Sequence, residues 1–230
     1  MSFGRLVLAG LLATCAASAA ANVLVVRAAG PSAGSYPPGR SLPDDARIAL
    51  RSGDTLVVLD ARGTRTFRGP GTFSPSQAAQ AGARTTLASS GRRVRVGAVR
   101  SAGIVPASPT TIWHIDASMS GNMCLADTNN VRLWRGDTSQ ATRVTISGPG
   151  GTSREVAWPA GAATLAWPSD LPITDGAQYQ LALNGVAVPS RVTFRTLESP
   201  PADMTAVAAA LIERECQEQL DLLVDSAPVQ

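Results

Sequence analysis

Apolar positions along this chain come in short runs, most of them too short for a helix, separated by turn residues. From Val23 to about Phe73 the runs are "VLVVRA", "ARIAL", "DTLVVLD" and "TRTF", rich in β-branched residues, which predicts brief strands. Gly30-Pro31, Tyr36-Pro37-Pro38-Gly39 and Gly69-Pro70-Gly71 punctuate them, and proline cannot donate to a sheet ladder. Asp60-Ala61-Arg62-Gly63 has the residues of a type I turn closed by a glycine at positive φ, which predicts a hairpin. The glycine- and arginine-rich stretch "GDTLVVLDARGTRTFRGPGTF" also invites comparison with a phosphate-binding loop. It lacks both the lysine and the following helix that such a loop requires, so the hairpin is the preferred reading.

The pattern changes after Ser74. "SPSQAAQAGARTTLAS" suits a short helix with Ser74 as N-cap and Pro75 at its first position. Glycine-punctuated polar residues follow, carrying Arg92, Arg93, Arg95 and Arg100, and residues 75–110 therefore read as a short helix and linker. From residue 111 to 198 short strands resume: "TIWHIDAS", "GNMCLAD", "NVRLWRG", "ATRVTIS", "REVAWPAG", "ATLAWPS", "AQYQLALNG" and "RVTFRTL". Their spacing is that of a β-sandwich, and Asp175 to Leu181 is similar to the tyrosine-corner strand of immunoglobulin-like sandwiches. The last element alone has helical periodicity. Met204, Val207, Ala208, Leu211, Ile212, Cys216, Leu220, Leu223 and Val224 form one apolar stripe, which predicts a single amphipathic helix over 199–226. The expected fold class is mainly β: a small module over 22–74, the linker, a sandwich and one C-terminal helix packed on it.

The N-terminus adds a destination. Arg5 precedes a short apolar core and small residues ending in Ala17-Ser18-Ala19 or Ala19-Ala20-Ala21, the layout of a cleavable secretory signal over residues 1–21. The apolar stretch is too short to span a bilayer, which takes about 20 residues, so no transmembrane segment is expected after cleavage. A periplasmic or secreted destination follows; Cys15 offers the alternative of a lipid anchor, although Thr14 stands where such sites carry Gly, Ala or Ser. Removal of Cys15 leaves Cys124 and Cys216, an even pair that in an oxidising compartment predicts one disulfide.

"SLPDDARIALRSGDTLVVLDARGTRTFRGPGTF" resembles the short-strand repeat of FecR-type periplasmic domains, in its glycine spacing and its closing Gly-Pro-Gly. The resemblance covers about the first quarter of the chain. It implies a cell-envelope β-domain used in signalling or surface assembly, with no catalytic residues to carry over.

Composition narrows the chemistry further. All 20 basic residues are arginine, the net charge is only +3, and aromatics are 4% of the chain, so any core is built from small side chains. Neither the modest charge nor the exported setting suits nucleic acid. For Arg92, Arg93, Arg95 and Arg100, export leaves acidic lipid, envelope polymer or an acidic protein face as the anionic partner, with a solvated linker the preferred reading. Trp158 and Trp167, each before a proline, are further candidates for partner contact, with plugging of the sandwich core the preferred reading. His114 and Asp116 share a strand face and define a rival reading, a small hydrolase drawing on Ser118, Ser120 or a distant serine, but no nucleophile elbow accompanies them. One histidine and no C-x-x-C pair give no metal-ligand set, and no cofactor is expected. The reading that results is a non-enzymatic envelope binding or scaffold protein.

Overall fold

A computed structural model describes residues 22–76, 108–198 and 201–230. The N-terminal part consists of β1 (Asn22–Ala29), β2 (Ser41–Pro43), β3 (Ile48–Leu50), β4 (Thr55–Asp60), β5 (Gly63–Arg68) and β6 (Gly71–Phe73). They form an antiparallel sheet of order β2-β1-β4-β5 and a small antiparallel pair, β3-β6. The continuous apolar runs of β1 and β4 are explained by burial on both faces. Val23, Val25, Leu56 and Val58 pack towards the β3-β6 side, whereas Leu24, Val26, Val57 and Leu59 face the C-terminal helices. A strand covered on both sides has no polar face to alternate.

The stretch from Gly53 to Phe73 is thus the β4–β5 hairpin and its exit, with Asp60 opposite Gly63 and Ala61-Arg62 at the tip. Gly63 takes φ +132°, and a Cβ there would lie 2.1 Å from the carbonyl oxygen of Pro228. The glycine is needed for both the turn and the close approach of the chain's last residues. The helix expected after Ser74 falls on residues that lie outside those described, apart from Pro75 and Ser76. The Ser74 hydroxyl donates to the Asp44 carbonyl at 2.8 Å, and the Ser76 N–H reaches the same oxygen at 3.0 Å. The arginine-bearing stretch also lies outside the described residues.

The second part is a sandwich. Its strands are β7 (His114–Asp116), β8 (Gly121–Leu125), β9 (Arg132–Trp134), β10 (Thr142–Ser147), β11 (Ser153–Trp158), β12 (Thr164–Ala166), β13 (Gln178–Leu183) and β14 (Ser190–Thr196). One sheet has the order β11-β10-β13-β14-β8 and the other β12-β9-β7. The β14–β8 and β7–β9 pairs are parallel and the others antiparallel. Ile115 and Leu133 from the smaller sheet meet Val144, Ile146, Trp158, Leu181 and Phe194 from the larger in one core. The Tyr179 hydroxyl donates to the Pro172 carbonyl at 2.8 Å and accepts from the Thr174 N–H at 3.2 Å. That is the tyrosine corner expected from the sequence: a wholly buried ring whose polar tip ties down the preceding loop.

The C-terminal helix is two helices. α1 (Met204–Glu213) is capped by Asp203, whose carboxylate accepts the Ala206 N–H at 2.8 Å, and α2 (Gln217–Ser226) follows after a break. At the break Glu215 takes φ +58°, Cys216 N–H donates to Leu211 O, and Glu215 N–H donates to Ile212 O. This is a Schellman ending, with glutamate where glycine usually stands. Apolar periodicity runs straight through it, and no glycine marks it, so the sequence pattern alone reads as one helix. The stripe itself is as expected: Ala208, Leu211, Cys216, Leu220 and Val224 are all buried.

Cys216 forms a disulfide with Cys124 of β8, 92 residues away, with 5.8 Å between α-carbons. Beside it, Gln219 bonds the edge of β8. Its side-chain carbonyl accepts the Cys124 N–H at 2.6 Å, while its amide donates to Cys124 O at 2.9 Å and Ile112 O at 2.8 Å. The helix pair therefore does more than pack on the sandwich. Its apolar stripe also covers Leu24, Val26, Val57 and Leu59, making it a shared core between the two β-parts. Arg27 of β1 pairs with Asp221 and, at 3.8 Å, with Asp225. Among the described residues no helix is long and apolar enough to cross a membrane.

Candidate functional site

Strand direction gathers the β7–β8 turn, the β9–β10 loop and the β13–β14 hairpin at one end of the sandwich, around a cleft of about 800 Å³. Local chemistry fixes each loop. Asp116 accepts the Ser118 N–H at 2.8 Å and its hydroxyl at 2.6 Å, and Asp137 accepts the Ser139 N–H at 2.9 Å. Such side-chain-to-backbone bonds stand in for a backbone turn. They also hold the Asp137 carboxyl below its ordinary value, with the bonds from Ser139 outweighing the opposing effect of burial.

Arg135 is buried and committed to structure. Its guanidinium donates to the carbonyls of Ala162 (3.2 Å) and Pro159 (2.7 Å) and lies 5.1 Å from the centre of the Trp158 ring. Asn184-Gly185 turns the β13–β14 hairpin, with Gly185 at φ +86° and Val186 N–H bonded to Leu183 O at 3.0 Å. Beyond that turn Val186 and Val188 are 54% and 77% exposed. With Val229 they are the exposed large hydrophobic residues among those described. Val186 thus borders a cleft of serines, amides and two carboxylates, and Val188 stands two residues beyond it.

Trp158 is not available to a partner. It is wholly buried, its indole N–H donates to Ala162 O at 2.9 Å, and it fills the core, as the preferred reading of the sequence had it. Trp167 is half-buried, stacked edge-on against Tyr179 and Phe194, and bonded to Leu171 O at 2.8 Å. It lines a smaller cleft of about 360 Å³ at the opposite end, with Asn129 and Asn130. Arg92, Arg93, Arg95 and Arg100 fall outside the described residues.

His114 and Asp116 do share a face of β7, with Ile115 buried between them. They line a cavity of about 250 Å³ against α2, together with Met123, Gln219, Asp221 and Asp225. Neither serine meets the imidazole: the Ser118 hydroxyl donates to Asp116 at 2.6 Å, and the Ser120 hydroxyl accepts the Arg191 N–H at 3.0 Å. No hydrogen bond joins His114 to Asp116 or to either serine among the described residues, and its buried Nδ1 has no partner. Burial, and then the nearby Arg132 charge, push the imidazole below its ordinary value, favouring the neutral ring. The geometry assembles a histidine and a carboxylate in one cavity but does not align a nucleophile with them.

Sequence reasoning did not single out Arg135, Gln219, or the Val186–Val188 pair. The hairpin was legible from Asn184-Gly185, the dipeptide favoured in two-residue turns, whereas the other two residues carry no local signal. Comparison with protein-family models, with curated proteins and with solved structures finds no match to this chain.

Proposed function

We propose that the protein is a non-enzymatic binding or scaffold component of the bacterial cell envelope, presenting the β13–β14 end of its sandwich to a protein or polymer partner. The observation that carries this reading is the exposure of Val186 and Val188 on the β13–β14 hairpin, where Val186 lines the large cleft. Exposed apolar residues favour association because covering them removes apolar surface from water, and loops at the end of a sandwich are where binding residues collect. The compartment is supported by the charged and apolar N-terminus and by the Cys124–Cys216 bond, which persists in oxidising surroundings. The FecR-type resemblance of the first module adds envelope signalling or surface assembly as the setting.

The test is photo-crosslinking in intact cells from a probe at Val188, with a second probe at the exposed Gly150 as the control. An adduct in the envelope fraction from Val188 alone is expected. Absence of an adduct, or recovery of the chain from the cytoplasm with free thiols, would overturn the proposal. The mass of the mature N-terminus separates a soluble form beginning near Ala20 to Asn22 from one acylated on Cys15.

A further inference from the structure

We propose that the last residues, Pro228 to Gln230, are a strap over the free edge of β5, and that the uncovered edge pairs with β5 of a second copy. This goes beyond the reading of the sandwich loops and does not depend on it. β5 is the terminal strand of its sheet, bonded to β4 on one side. On its other side, Thr64 N–H donates to Pro228 O at 2.8 Å and Gln230 N–H donates to Thr64 O at 3.0 Å, so Thr64 and Val229 form a parallel bridge. The strap is held further by the Gln230 side-chain amide, which donates to the Asp60 carboxylate at 3.1 Å. Gly63 provides the notch that lets Pro228 approach.

Backbone groups of a strand point alternately to its two sides. Since those of Thr64 point away from β4, those of Thr66 and Arg68 do so as well. Gly69 N–H, of the opposite parity, reaches Asp54 O on the β4 side at 3.0 Å, which agrees. Among the described residues the strap bonds Thr64 alone, and the main-chain groups of Thr66 and Arg68, whose side chains are exposed, face outwards without a partner. An edge of this kind is a template for another strand unless it is blocked.

The occupant it fits is itself. In a two-fold antiparallel pairing centred on Thr66, each Thr66 exchanges both main-chain bonds with its counterpart, and Thr64 of one copy faces Arg68 of the other. Threonine meets threonine at the centre and no like charges stand directly opposed, which a self-complementary contact requires. With the strap in place, the Thr64–Arg68 pairs on both sides are blocked and only the central pair remains. Removing the strap frees them together, joining two sheets edge to edge.

The experiment compares the mature chain with one ending at Ala227, by light scattering at tens of micromolar. The full chain is expected at single-chain mass and the shortened chain at twice that mass. Thr66→Pro in the shortened chain is expected to restore the single-chain mass. The Thr66 N–H points away from β4, so proline removes the intermolecular donor without taking a bond from the sheet itself. A shortened chain that stays single, a dimer that survives Thr66→Pro, or a full chain already paired through this edge would each overturn the proposal. Should truncation unfold the chain, Gln230→Pro in the chain ending at residue 230 carries the test, since it deletes the two bonds Gln230 makes, to Thr64 O and to Asp60, and leaves the one from Thr64 N–H to Pro228 O. Association that Thr66→Pro abolishes then supports the strap as a guard, and an unchanged single-chain mass overturns it.

Discussion

Gln219 acts on β8 as a neighbouring strand would, and replacing it measures what that substitute strand contributes. β8 is an edge strand, and the outward-facing main-chain groups of Cys124 lie under α2 where both residues are almost wholly removed from solvent. Gln219→Leu keeps roughly the side-chain volume but deletes an acceptor for one buried N–H and a donor for two carbonyls. Each buried group left unmet costs about 1–3 kcal/mol, and carbonyls tolerate it better than an N–H. The expected loss is about 3 kcal/mol, within a range of roughly 2–5 once local relaxation is allowed for. Urea unfolding of the oxidised protein, followed by tryptophan fluorescence, measures it with the disulfide intact in both states, so the difference belongs to the amide. Gln217→Leu, on the exposed side of the same helix, should fall within about 0.5 kcal/mol of the parent. Gln219→Glu should be worse than leucine at neutral pH, because a carboxylate then faces two carbonyl oxygens. Burial raises the folded-state pKa of that acid, so its penalty should ease as pH falls through the raised value. A loss for Gln219→Leu below about 1 kcal/mol, or equal to that of Gln217→Leu, would refute the argument.

Three further outcomes are expected. Replacing Cys124 and Cys216 together by alanine opens a loop of 92 residues' separation, for which the chain-entropy estimate is about 4.6 kcal/mol; a urea-measured loss under about 1 kcal/mol would contradict the disulfide's role as the clamp between helix pair and sandwich. Gly63→Ala should cost more than Gly150→Ala: Gly150, at φ +70°, faces open space and carries only the left-handed backbone strain of about 1–2 kcal/mol, whereas Gly63, at φ +132°, would also meet a backbone oxygen at 2.1 Å; equal losses in thermal or urea unfolding would remove the clash from the account. Asp60 should make the strap acid-sensitive: burial opposes its ionisation, but bonds from Arg62 and Gln230 and the charge of Arg65 outweigh it and hold the carboxyl below its ordinary 3.8. A depressed folded value means the contribution is complete above that pH and is lost as pH falls through the lower folded value. Corrected for the intrinsic rate, amide exchange at Gln230 should therefore accelerate below about pH 4, and Asp60→Asn should abolish that dependence.

Much of this architecture can be read locally. Short β-branched runs between Gly-Pro turns determine the strands, Asp60-Ala61-Arg62-Gly63 determines a hairpin, and the stripe from Met204 to Val224 determines which helical face is buried. The even cysteine pair led to Cys124–Cys216, and Tyr179 occupies its corner, because turn chemistry and side-chain periodicity act over a few residues. What the sequence could not determine is which surface each element meets. The break at Glu215 carries no glycine; bonds to Leu211 and Ile212, and a disulfide reaching across 92 residues, hold a glutamate in a conformation it rarely adopts alone. Trp158 gives no sign in its neighbours that the opposing sheet will cover it. Gln219 looks like a surface glutamine until the edge of β8 comes to lie beside it. The helix pair belongs to both β-parts, and the strap lies along β5, only because chain segments far apart in sequence converge there. Periodicity states how a segment folds and which of its faces is apolar. The partner for that face, and the cover for each strand's edge, are set by long-range packing, which leaves no local pattern to read.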